Sequence, residues 1–279
     1  MRTVIINGFD RCGSSMICRM LAKHPDVAMM FQPTNSTEVH KDLFRIWDVN
    51  ELHEETAKFY EEAAERRVYR DYIKAQWFDM YSSLDNLATA KLLVIKETKL
   101  FFKLDWMWEN LFCVADVYGI WRSPFEITNS IVRNNFHIDW YGPERAYKEV
   151  VREVRSHNIL TATYAPLMNE VVDKVSMMAY VISVALYMLL QGLPDKVCWL
   201  DFELIKTDPN KYLNEFLAKF GIDKFDFTEY HDNDYNVSGS NFKKSPSWEE
   251  FFSSKEKDTI KTILDPVLEL ADDLGLTIN

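Results

Sequence analysis

The sequence is short of cysteine, of basic charge and of long apolar runs, and each shortage excludes something. Cys12, Cys18, Cys113 and Cys198 are the four cysteines in 279 residues. They show neither a metal-ligand spacing nor a dense framework. A thiolate metal site and a disulfide scaffold are therefore excluded, and reduced thiols in a cytoplasmic protein are expected. Forty-three acidic residues against thirty-two basic ones leave a net charge of -11. A general nucleic-acid binder needs a basic face to displace counterions, so nucleic acid is not an expected partner. The longest apolar run, MMAYVISVALYMLL at 177 to 190, has 14 residues. That is short for a membrane span and right for a buried helix, so no membrane partner is expected either. The first residues run into a strand with no signal-peptide pattern. No internal repeat or low-complexity linker breaks the chain, which predicts one domain over 1–279.

What is present is an alternation. TVIING (3 to 8), VAMMFQP (27 to 33), KLLVIKE (91 to 97), VADVYGIWR (114 to 122) and KVCWLDFE (196 to 203) read as strands. Between them lie helical segments. SSMICRMLAKHP is ended by Pro25, PFEITNSIVRNN starts at a favourable proline, and DPNKYLNEFLAKFGI closes on Gly221. FFKLDWMWENLF is a further helix, and an amphipathic helix ends the chain. Residues 38–90 and 143–192 read as helical insertions. Strands alternating with helices predict the α/β class: a P-loop-like central parallel sheet flanked by helices, with a helical cap over the substrate site.

GFDRCGSS, residues 8 to 15, joins the first strand to the first helix. Its spacing is that of a phosphate-binding loop, G-x-x-x-x-G-K-[ST], with Ser14 in place of the lysine. Backbone N–H groups of such a turn and the helix N-terminus behind it attract an anion. Ser14 and Ser15 add hydroxyl donors. The missing lysine is the one that reaches the β- and γ-phosphates of ATP or GTP, so a triphosphate would be poorly held. The nearest cation is Arg11, and an arginine clamps phosphate-like groups bidentately. The bland alternative is an ordinary strand–turn–helix with a structural glycine. A second stretch, VYGIWRSPFEITNS, ends a strand at Arg122 and places Ser130 eight residues on, in the next helix. Both can reach one ligand group at the carboxyl edge of the sheet. The expected ligand therefore carries anions at both ends.

At these residues the sequence resembles the sulfotransferases that use 3'-phosphoadenosine 5'-phosphosulfate (PAPS). GFDRCGSSMICRMLAKHPDV is similar to the family's 5'-phosphosulfate loop, including the HP that follows in bacterial members. RSPFEITNS is similar to its R-x-P-x(5)-S segment, and FELIKTDP (202 to 209) to its Y-E-D-L-x-x-D-P segment. Order and spacing agree over most of the chain, least so in the helical insertions. The resemblance implies PAPS as donor, 3'-phosphoadenosine 5'-phosphate (PAP) as product, and no bound metal. It implies that Arg11, Cys12, Gly13, Ser14, Ser15 and Met16 serve the 5' end, with Arg11 on the leaving phosphate. Met16 stands where an aromatic often stacks on adenine. Arg122 and Ser130 are implied for the 3'-phosphate. Lys243 and Lys244, in SGSNFKKSPSW with Trp248, stand in for a basic loop over the donor. In VIKETK, Lys96 matches a family lysine, but Thr98 replaces a catalytic histidine. Gln32 replaces a glutamate that some bacterial relatives use as base. Glu97 becomes the first candidate for the base, with His137 and Glu38 as further candidates.

The insertions are rich in aromatic and acidic residues, which together can hold a cation. The expected acceptor is a small, cationic or aromatic metabolite, with a natural product such as a saxitoxin-type guanidinium alkaloid as one such case. Two other functions stay open on sequence: a P-loop small-molecule kinase and a non-catalytic PAP- or nucleotide-binding protein. The acceptor atom and the oligomeric state stay open too.

Overall fold

The computed structural model describes residues 1–36, 53–73, 76–98, 100–111, 113–114, 116–135, 142–192, 197–228 and 246–276. Five strands form one parallel sheet: β1 (Arg2–Asn7), β2 (Val27–Phe31), β3 (Leu92–Glu97), β4 (Asp116–Trp121) and β5 (Val197–Asp201). Their spatial order is β2-β3-β1-β4-β5. Every residue of β2 and β3 is buried. Strands covered on both faces carry apolar side chains without alternation, which is why these segments read as continuous apolar runs.

The described helices follow the strands. They are α1 (Ser14–Leu21), α2 (Glu54–Ala64), α3 (Gln76–Tyr81), α4 (Leu104–Asn110), α5 (Pro124–Arg133) and α6 (Pro143–Ser156). Then come α7 (Asn158–Tyr164), α8 (Lys174–Gly192), α9 (Phe202–Thr207), α10 (Pro209–Ala218), α11 (Trp248–Phe251) and α12 (Ser254–Asp273). α8 holds the long apolar run. By length and composition it could cross a membrane, but 72% of its apolar window is buried against protein. It packs on α5, α6 and α12. Ser183 in its middle donates to Ile263 O of α12 at 2.9 Å, and Tyr164 of α7 reaches Ser183 O at 3.1 Å. These bonds fix the helix inside the fold, where an unpaired hydroxyl would be costly.

Two boundaries differ from the sequence expectation. The helix after β1 ends at Leu21, ahead of Pro25, because Lys23 and His24 turn back onto Met20 O and Leu21 O. His24 Nδ1 then accepts from Asp26 N–H at 3.0 Å, and its Nε2 lies 3.1 Å from Asp223 O. The HP pair thus ties the end of α1 to the segment after α10. The fifth strand ends at Asp201 instead of running to Glu203. The Asp201 carboxylate accepts from Glu203 N–H and Leu204 N–H, at 2.9 and 3.1 Å, and starts α9.

The sheet order positions the site. β1 lies between β3 and β4, with Asn7 in register with Glu97 on one side and Gly119 on the other. The loops leaving β1 and β4 therefore start side by side at the carboxyl edge, at the crevice where open α/β sheets take ligands.

Candidate anion-binding site

The loop after β1 is a closed turn. Cys12 N–H donates to Phe9 O at 3.0 Å, and the Phe9 ring stacks on Phe101 at 5.6 Å. Gly13, the N-cap of α1, has φ 94. A Cβ there would lie 2.1 Å from the Phe202 ring, so only glycine fits both the backbone and the space. No side chain caps α1 and its first turn has no acidic residue. The first N–H groups of a helix have no intrahelical acceptor and form the positive end of its dipole. Ser14 is buried and Ser15 and Met16 are half-buried. Burial pushes the Cys12 thiol up, against opposing hydrogen bonds from Ser14 and the charges of Lys96 and Arg122. A thiol so held packs and does not react.

On the β4 side of this loop two arginines meet. Arg11 has φ 71, and its Nε donates to Ser130 Oγ on α5 at 3.2 Å. Arg122, just past β4, donates through Nη1 to Arg11 O at 2.6 Å. Its guanidinium lies 4.8 Å from the Phe202 ring centre, and Glu203 Oε1 stands 3.9 Å from its Nε. Burial lowers the Arg122 pKa, Glu203 and Glu126 pull it back up, and the nearby Arg11 charge lowers it further. Arg122 Nε and Ser123 Oγ are both buried and make no hydrogen bond among the described residues. Two buried donors so placed on one turn could each take a further acceptor. Residues 246–248 dock beside them. Asn129 donates to Pro246 O at 3.0 Å, Trp248 N–H donates to Glu126 at 3.1 Å, and Trp248 stacks on Phe125 at 4.3 Å.

On the β3 side lies a second polar group. Lys96 is 1% exposed, with Nζ 4.5 Å from the Phe31 ring centre, and its charge is felt by Cys12 and Cys18 of the loop and α1. Glu97 is fully buried. Its Oε2 accepts from Thr34 Oγ1 at 2.6 Å, and its Oε1 from Thr34 N–H at 3.2 Å and, more distantly, from Tyr60 OH at 3.4 Å. Burial raises the Glu97 pKa to about 7, against the Thr34 bonds, the Lys96 charge and the Tyr60 bond. Gln32, with φ 46, donates from Nε2 to Thr98 Oγ1 at 2.9 Å. Two of the four left-handed non-glycine residues in the described chain, Arg11 and Gln32, thus sit in loops at this edge. Such backbone strain gathers at functional sites.

The raised Glu97 pKa makes a stability prediction. The folded state holds this proton up to about pH 7, while an unfolded carboxyl loses it near 4.5. The stabilisation is complete below the lower value and is lost as pH rises through the upper one. The span is worth roughly 3 kcal/mol, or roughly 5–10 °C in Tm for a chain of this size. Thermal melts from pH 4.5 to 8 should show that decline in the wild type and much less of it in Glu97→Gln. Parallel profiles would refute the assignment.

Of the residues expected from sequence, the structure gathers Arg11, Cys12, Gly13, Ser14, Ser15, Arg122 and Ser130 at one crevice. Lys96 and Glu97 lie across β1 from Arg122. Glu38, His137, Lys243 and Lys244 lie outside the described residues. Sequence reasoning did not single out Phe202 as a wall of the loop, Ser123, Thr34 or Tyr60. Phe202 and Glu203 entered as the end of KVCWLDFE and the start of FELIKTDP, and Ser123 as the residue after Arg122.

No family model and no curated protein matches the sequence. Solved structures do match. The sulfotransferase domain from the curacin biosynthetic pathway has TM-score 0.51 at 14% identity, covering 100% of this chain and 99% of that one. The sulfotransferase domain from the Synechococcus PCC 7002 olefin synthase has TM-score 0.50 at 14% identity, covering 100% and 96%. A sulfotransferase from Alicyclobacillus acidocaldarius has TM-score 0.51 at 14% identity, covering 100% and 97%. With its central parallel sheet and flanking helices, the chain has the fold of the bacterial sulfotransferases along its whole length.

Proposed function

We propose that the protein is a PAPS-dependent sulfotransferase acting on a small molecule. The observation that carries this reading is the pair of anion sites on neighbouring strands. One is a loop and helix N-terminus without the lysine a triphosphate needs. The other is Arg122 and Ser123 with buried donors that make no hydrogen bond among the described residues. An adenosine nucleotide phosphorylated at both the 5' and 3' positions carries an anion for each. PAPS supplies an activated sulfuryl group. The loop N–H groups, Ser14 and Ser15 offer hydrogen-bond donors, and Lys96 a positive charge, to the 5' end, where charge develops as the sulfuryl group leaves. Arg122 and Ser130 hold the 3' end.

The acceptor must lose a proton. Glu97 is the carboxylate for it, with a pKa of about 7 near the working pH. Its oxygens are engaged by Thr34 and Tyr60, so the proton travels by way of Thr34. The acceptor gives its proton to Thr34 Oγ1 as the Thr34 proton passes to Glu97 Oε2. Thr34→Val and Glu97→Gln should each leave PAP affinity unchanged and cut turnover roughly 100-fold or more. PAP release from PAPS with a panel of phenols, alcohols and amines reads this. Wild-type turnover in both variants would move the base elsewhere, to His137 or Glu38.

The acceptor proposed is a small cationic or aromatic molecule, consistent with the net charge of -11. The guanidinium-alkaloid case rests on charge and aromatic content alone. Four free cysteines are in keeping with a cytoplasmic protein. Calorimetric titration with PAP, beside ATP plus magnesium, tests the donor. PAP should bind at least about tenfold tighter, a difference of about 1.4 kcal/mol. Tighter ATP binding would make the protein a kinase. PAP binding without turnover of any acceptor would make it a nucleotide-binding protein.

A further inference from the structure

The loop arginine does not point where its place in the motif suggests. β1 separates two groups of charge at the sheet edge: Lys96 on the β3 side, Arg122 and α5 on the β4 side. Arg11 has a left-handed backbone, and its Nε meets Ser130 Oγ at 3.2 Å on the β4 side. Its carbonyl takes Arg122 Nη1 at 2.6 Å, a second contact on that side. Burial is the main cause that lowers the Arg122 pKa, and the like charge of Arg11 adds to it. A dianion between them would turn that repulsion into two charge-assisted contacts.

On the donor reading proposed above, we infer that Arg11 grips the 3'-phosphate together with Arg122 and Ser130. Arg11 is then the residue that selects a 3'-phosphorylated adenosine nucleotide, and the 5' end depends on the loop N–H groups, the two serines and Lys96. The leaving-phosphate role implied for Arg11 by its motif position passes to Lys96.

The test is a comparison of three probes by calorimetry: PAP, AMP and adenosine 5'-phosphosulfate, the last two lacking the 3'-phosphate. The variants are Arg11→Asn, which tolerates the left-handed backbone, Arg11→Lys and Ser130→Ala. In the wild type PAP binds tightest. In Arg11→Asn, PAP affinity falls by about tenfold to a hundredfold while AMP and adenosine 5'-phosphosulfate are unchanged. Arg11→Lys recovers only part of the loss, because an ammonium lacks the guanidinium fork. Combining Arg11→Asn with Ser130→Ala gives less than the product of the single losses, as for residues sharing one ligand group. Equal weakening of all three probes would put Arg11 at the 5' end and overturn the inference while the donor reading stands. No weakening of any probe would also overturn it. Wild-type protein that binds PAP no better than AMP would instead defeat the donor reading itself.

Discussion

Arg122→Ala should weaken PAP binding by about tenfold to more than a hundredfold, the worth of a charge-assisted hydrogen bond of about 1.5–3 kcal/mol. AMP affinity should hardly move. The effect is large because the arginine is already positioned. Phe202 supports the guanidinium from one side and the Arg11 carbonyl fixes one nitrogen. Binding then needs little side-chain ordering, which is otherwise part of the cost of association. Arg122→Lys should recover little, since an ammonium can neither stack on Phe202 in the same way nor bond the carbonyl and a phosphate in one plane. Thermal stability without ligand should fall far less than affinity. Removal of this guanidinium gives up the bond to Arg11 O but also relieves the burial of a charge. If PAP affinity in Arg122→Ala matches the wild type, the 3'-phosphate site is not on β4, and the Arg11 inference fails with it.

Much of this was readable in the chain, for physical reasons. Parallel strands buried on both faces leave apolar runs, so KLLVIKE and VADVYGIWR announced β3 and β4. Gly221, with φ 67, marked the end of α10 because few other residues accept that backbone. The loop after β1 was readable from glycine spacing, and Arg122 from its place at a strand end. Local pattern carries no information on which strands become neighbours. That β1 lies between β3 and β4, bringing residue 11 to residue 122, is a property of the sheet. That Arg11 takes a φ of 71 and meets Ser130 through Nε is likewise nothing that DRCGSS specifies. Glu97 stood out in VIKETK as the first candidate for the base. Its closure by Thr34 depends on the turn that follows the left-handed Gln32 and places Thr34 against β3. The end of β5 was legible in hindsight. Asp201 ahead of Phe-Glu-Leu is a helix start, and the strand character of VCWL stops at it.

Gly13→Ala should remove PAP binding to below detection at concentrations that saturate the wild type, and should lower Tm by several degrees. Two separate effects add. An L-residue in the left-handed region costs roughly 1–2 kcal/mol, and φ at this position is 94. The new methyl would also lie 2.1 Å from the Phe202 ring, which must move. Phe202 is 3% exposed and supports the Arg122 guanidinium, so its displacement disturbs both anion sites at once. Adding Phe202→Leu separates the effects. The smaller side chain relieves the overlap, so the double variant should regain part of the Tm lost by Gly13→Ala. It should not regain PAP affinity, because the turn remains strained and Arg122 loses its aromatic support. Recovery of both would mean that Phe202 acts only as a steric wall. Wild-type affinity in Gly13→Ala alone would mean that the loop does not cradle the nucleotide. One ring thus meets both groups: Phe202 lies against Gly13 at the start of α1 and 4.8 Å from the Arg122 guanidinium, which is why a change at this glycine is felt beyond its own turn.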